Sequence, residues 1–256
     1  MKRLFLTLSL IICITSNAQV KPENNHHDND IRLSTLPYYS YGKGIGITSP
    51  DSLFQFNIRF RMQNRATYFK NDGERGAYGA EIRRLRLRFD GFVVNPKFLY
   101  AIQLSFAPGD VGEVKEGENL NIIRDAVFIY RPNKHWNFSF GQTKLPGNRQ
   151  RVNSSGGLQL TDRTINNAKF TIDRDFGFQI HNLNEFKDKF SYNFKAAVST
   201  GEGRNSTDKP DDGVAFTGKI ELLPFGAFAK DGTYFEGDVI REKKPKLMIS
   251  CAFQQN

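Results

Sequence analysis

Residues 81–92, EIRRLRLRFDGF, set the tightest limit on what this chain can fold into. Arg84, Arg86 and Arg88 alternate strictly with Leu85, Leu87 and Phe89. A helix built from this run has no clean apolar face. In a strand, successive side chains point to opposite faces, so guanidinium groups and Asp90 line one side and large apolar groups the other.

The same period of two recurs along the chain. Phe54, Phe56, Ile58, Phe60 and Met62 alternate with Gln55, Asn57, Arg59, Arg61 and Gln63. Further alternating runs cover 98–107, 126–130, 136–141, 175–181, 190–199, 216–222 and 247–253. Together these predict nine strands and no convincing helix. A soluble β-sandwich also alternates, so the pattern needs further features to assign it. Several runs approach the roughly 9–11 residues that cross a bilayer at a tilt, whereas soluble strands cluster near about 5–6.

The connections also alternate in length. Residues 70–79, 108–121, 142–173 and 200–213 are long, while 95–97, 131–135 and 184–189 are short. Outer-membrane barrels have this rhythm, with tight turns on one side and long loops on the other. The connection 224–245 breaks it, being long where a short turn is due. Phe98, Tyr100, Tyr130 and Trp136 sit beside the short turns, at one height, as an interfacial aromatic girdle would. With 23 Phe in the chain, these features favour an all-β antiparallel transmembrane β-barrel of outer-membrane porin type over a secreted β-sandwich that binds acidic glycans. On this reading Leu85, Leu87 and Phe89 meet lipid, and the arginines face inward. Reversing the strand would cost roughly 2–4 kcal/mol for each Arg near the midplane.

The address agrees. Lys2 and Arg3, the apolar stretch Leu4–Ile14 and then Ser16-Asn17-Ala18 form a secretory signal peptide, 1–18, too short to span. Ile12 before Cys13 speaks against a lipoprotein signal. Loss of Lys2 and Arg3 takes the formal charge from +9 to about +7. Cys251 is then the sole cysteine, which excludes a disulfide framework and a cysteine metal site. Basic charge on an exported chain points to anionic lipid, anionic polymers or small anions, and away from nucleic acid. Charged residues at 25% and a mean hydropathy of −0.50 exclude a bundle of membrane helices. Residues 19–50 are polar and turn-rich and read as an exposed N-terminal segment, with His26-His27 beside Asp28 a solvated tail and no metal site. The barrel domain runs from 51 to 256.

Three stretches, 43–65 (GKGIGITSPDSLFQFNIRFRMQNR), 83–107 (RRLRLRFDGFVVNPKFLYAIQLSFA) and 123–146 (IRDAVFIYRPNKHWNFSFGQTKLP), resemble the phosphate-selective porin O and P family. DRDFGFQI (173–180) and YFEGDVIREKKPKLMI (234–249) extend the resemblance. It implies a barrel of about sixteen strands in the outer membrane, a homotrimer when full length, passing small anions such as phosphate without a cofactor. Nine strands fall short of sixteen, and closed bacterial barrels are even-numbered. The expectation is therefore an incomplete barrel of about eight or nine strands, the N-terminal part of a longer frame, with a non-functional remnant as one alternative.

Arg59, Arg61 and Arg65 share the inward face of one strand, and Arg84, Arg86 and Arg88 that of the next. Strands lie under about 5 Å apart, so the six form one basic wall. Guanidinium keeps its charge and its forked donors match an oxyanion. The bland reading is a wet interior, with these arginines paired to acids such as Asp90 and Asp125. Within 142–173, Lys144, Arg149, Arg151, Arg163 and Lys169 are the positive residues; in the resemblance this third long loop folds inward and sets the constriction.

No catalytic constellation appears. Ser154-Ser155-Gly156-Gly157 lacks the strand–turn–helix context of a nucleophile elbow. His181 and Ser199 face the interior, away from lipid. The glycines of Gly42-Lys43-Gly44-Ile45-Gly46 precede no helix that could hold a phosphate, and Asp211-Asp212 lies in a solvated loop.

Overall fold

The computed structural model describes residues 44–112, 121–206 and 213–256. The expected signal peptide, the His26-His27 pair, Asp211-Asp212 and most of the 19–50 segment lie outside the described residues.

Ten strands form one antiparallel sheet in simple chain order. They are β1 (Ile45–Thr48), β2 (Phe54–Phe69), β3 (Ala77–Val93), β4 (Asn95–Ser105), β5 (Ile123–Tyr130), β6 (Trp136–Lys144), β7 (Arg174–Asn184), β8 (Ser191–Ser199), β9 (Ala215–Leu223) and β10 (Ile249–Gln255). All nine expected strands are present. The addition, β1, is four residues long and pairs Ile45–Thr48 with Gln55–Ile58, too short for a period to show. Among the described residues the sheet is open: β1 pairs only with β2, and β10 only with β9. Three helices of four or five residues, α1 (Pro108–Val111), α2 (Arg149–Val152) and α3 (Ile165–Lys169), lie in the long connections.

Turn chemistry explains the tight end of the sheet. Asn133 Oδ1 accepts from the backbone N–H of His135 (2.9 Å) and Trp136 (3.1 Å), closing β5 onto β6. At the β3–β4 reversal, Val94 adopts φ 67° and Asn95 Oδ1 accepts from Lys97 N at 2.8 Å. Such Asx bonds replace backbone pairing that the turn gives up.

The two faces of the sheet are inverted relative to a water-soluble protein. Among the described residues ten apolar side chains are buried, against twenty-five polar or charged ones. Phe60 is 66% exposed, Phe140 57%, Phe216 55% and Phe253 66%, all on the outward side. No second sheet covers these rings among the described residues, which rules out a two-sheet sandwich. The outward aromatics pack instead on one another across strands. At the short-turn end Phe98, Tyr130, Phe138 and Trp136 stack in sequence, with centroid separations of 4.9, 6.4 and 6.0 Å. The covered face is polar along most of its length. Near the short turns it carries an apolar cluster of Phe92, Leu99, Ala101, Val127 and Ile129.

Candidate functional site

The register of β2 and β3 sets arginine opposite arginine. Arg59 faces Arg88, Arg61 faces Arg86, and Gln63 faces Arg84. Like charges directly across a ladder repel, so the arrangement needs negative partners. Asp90 serves the first pair, bonding Arg59 and, at 2.9 Å, Arg88 Nε. Asp110 on α1 accepts from Arg86 Nη2 at 2.7 Å, from Arg124 Nη1 at 2.8 Å and from the Ser105 hydroxyl at 2.7 Å. Burial works against its carboxylate, but these two guanidinium groups and the hydroxyl outweigh it and hold its pKa far below the ordinary range.

A bulge adds a residue that strict alternation assigns to the wrong side. Between Gln63 and Asn64 the register shifts, so Gln63 pairs Arg84 while Asn64 pairs Ile82. Arg83 is the extra residue and turns to the covered face beside Arg84. Arg83 Nε donates to Asp162 Oδ1 at 2.9 Å, and Arg84 Nη2 to the same oxygen at 3.2 Å. Arg65, beyond the bulge, pairs with Asp162 and Glu81. The hydrogen bond from Arg83 is the main cause of a lowered Asp162 pKa.

The connection 145–173 lies over this face. Arg61 donates to Ser155 Oγ, and Arg86 Nη1 does so at 2.9 Å. Lys144 belongs to β6, not to the loop; its buried ammonium donates to the carbonyls of Val152 (2.7 Å) and Asn153 (3.1 Å) and so pins α2. Arg163 donates to the carbonyls of Gln150 (2.7 Å) and Asn153 (2.9 Å). Arg151 is paired with Asp173. Burial and neighbouring like charges push the Arg163 guanidinium down to about 10 and that of Arg151 to about 9. Arg149 turns away from the arginine cluster and donates to Phe235 O at 2.9 Å, and Lys169, in α3, is exposed.

Between the sheet and this loop lies a cavity of about 150 Å³, lined by nine cationic side chains and one carboxylate, Asp125. Arg174 meets that carboxylate at 2.9 Å. Three of the lining cations, Arg61, Lys144 and Arg163, have no carboxylate partner among the described residues. Arg61 Nε and Arg124 Nε are buried donors with no acceptor. Buried guanidinium donors left unmatched are costly, and an oxyanion entering the cavity would supply both the acceptors and the missing negative charge.

Of the eleven sequence-predicted basic residues, Arg59, Arg61, Arg86, Arg88, Lys144, Arg151 and Arg163 line this cavity. Arg84 lies beside it among the donors to Asp162 and Thr161 O, while Arg65 and Arg149 are engaged elsewhere. Arg83, Arg124 and Arg174 escaped the sequence reading. Arg124 and Arg174 each stand next to an aspartate at a strand end, where Arg124-Asp125 and Arg174-Asp175 interrupt the alternation. No group of metal-ligating side chains occurs among the described residues. A family model described as phosphate-selective porin O and P matches residues 55–228. No curated protein matches the chain.

Proposed function

The chain belongs to the phosphate-selective porin O and P family, and from that premise we propose that its covered basic face is the wall of a passive path for small oxyanions. The family is one of channels rather than enzymes. The reading rests on one observation above the others: Arg61, Lys144 and Arg163, three cations with no carboxylate partner among the described residues, line a cavity under an inward-lying loop. A channel selects by placing charge where its path is narrow while holding the ion weakly enough to release it. The paired aspartates serve the second need, since they cancel part of the field that would otherwise trap an anion.

Phosphate is the oxyanion the reading favours, because forked donors from Arg61 and Arg86 can share its oxygens. The constriction belongs to Arg151, Arg163 and the Lys144-anchored α2. The location is the outer membrane, reached after removal of residues 1–18, with trimeric assembly.

Planar-bilayer recordings under a salt gradient test the proposal. The expected reversal potential marks anion preference, and phosphate reduces the chloride current. Arg61→Ala raises the half-blocking phosphate concentration by about tenfold or more, as expected for one lost charge-assisted contact of about 1.5–3 kcal/mol. Cation preference, or chloride current indifferent to phosphate, would remove the reading.

A further inference from the structure

The connection between β9 and β10, residues 224–248, is long where every neighbouring turn on that side is short. Its neck is closed. Lys246 Nζ donates to Phe225 O at 2.8 Å and to Lys187 O at 2.6 Å, so the two ends of the connection are tied to each other and to the β7–β8 turn. Ala227 N donates to Phe186 O at 2.8 Å, fixing the outgoing limb on the same turn. The segment is thus a long loop with joined ends.

Its tip lies on the covered face. Tyr234 sits over Lys195 Nζ, 5.9 Å from ring centroid to nitrogen. Lys195 and Lys219 flank Glu221 at 2.7 and 2.9 Å, all three pointing inward from β8 and β9. The tip then meets the other inward segment. Glu236 N donates to Gly157 O at 2.9 Å, and Gln159 N donates to the Glu236 carboxylate at 3.0 Å. Arg149 on α2 bonds Phe235 O from the opposite side. Space for a larger side chain at Gly157 is already taken, since a Cβ there would meet the Phe235 ring at 3.0 Å.

We propose that residues 224–248 form a second constriction of the anion path, entering from the short-turn end in series with the 145–173 loop and propping that loop in place. The proposal rests on the reading of the covered face as a transport path. An anion leaving the arginine cavity next meets the Tyr234–Phe235 tip, which packs against the Lys195–Glu221–Lys219 cluster and narrows the path beside it. The tip restricts flow chiefly by volume, whereas the arginines set the sign of the ion carried.

Replacing 229–240 with a short Gly-Ser link, keeping the Phe225–Lys246 neck, is expected to raise single-channel conductance severalfold while leaving the sign of the reversal potential unchanged. Unchanged conductance in a channel that still inserts overturns the proposal. Loss of anion preference already in the unaltered protein would instead fail the parent reading, so the two failures are distinct. A second measurement does not need the deletion to fold. In a Cys251→Ser background, Gln159→Cys with Glu236→Cys should be joined by a short bifunctional thiol reagent, with conductance unaltered because the tip already sits there. No cross-link in the inserted channel, or a marked fall in conductance on linking, would overturn the proposal.

Discussion

Asp110 shows how a single carboxylate shapes a basic site. It holds Arg86 and Arg124 and is itself steadied by Ser105. Asp110→Asn keeps the shape but removes the negative charge, leaving two buried guanidinium groups without their counter-charge. The expected outcome is phosphate block at lower concentration and slower phosphate flux, read from current noise and block curves in bilayers. The inward positions of Arg59, Arg61, Arg86 and Arg88 were legible in the sequence because alternation assigns them without any long-range information. Arg83 was not. Its side is decided by a bulge that no glycine or proline marks, and plain alternation sends it outward with Leu85. Asp162 and Ser155 were illegible for another reason: their partners lie some seventy to a hundred residues away, and only the folded loop brings them together.

At the scale of elements, β3 is held close to its neighbours by Gly91. A Cβ added there would lie 1.7 Å from Gln55 O, a backbone atom that cannot step aside, and Tyr100 covers the same spot with its hydroxyl donating to Gln55 O at 3.2 Å. Gly91→Ala is therefore expected to lower the yield of folded, heat-modifiable protein on gels. Gly218→Ala is the control, because nothing lies within 4 Å of a Cβ built there. The 224–248 loop carries a pH dependence of its own. Burial, followed by the nearby Glu185, pushes the Asp231 carboxyl up to about 6. A carboxyl whose folded pKa is raised favours the docked loop while protonated, so docking weakens as pH rises from about 4 to 6 and then levels off. Protection factors of 229–240, taken relative to the intrinsic base-catalysed exchange rate, should fall over that window in the wild type and stay flat in Asp231→Asn. The sequence marked this connection as out of rhythm, yet its direction depends on contacts with Lys195, Gly157 and Arg149 that no local pattern carries.

At the scale of the whole sheet, β1 and β10 each present a row of backbone groups with no neighbouring strand among the described residues. Hydrocarbon does not tolerate such edges, so a membrane-inserted form must pair them. The backbone amides on the free sides of Ile45–Thr48 and Ile249–Gln255 are expected to exchange quickly in a detergent-dispersed monomer. In the bilayer assembly they should become protected, as hydrogen exchange with mass spectrometry would show. The inverted faces also change how substitutions should be chosen. On a protein dissolved in water, turning a solvent-facing phenylalanine into glutamate is the engineer's routine remedy for stickiness. Here the same edit at Phe140 or Phe216 would set a carboxylate among acyl chains, so the remedy would cost stability on this face.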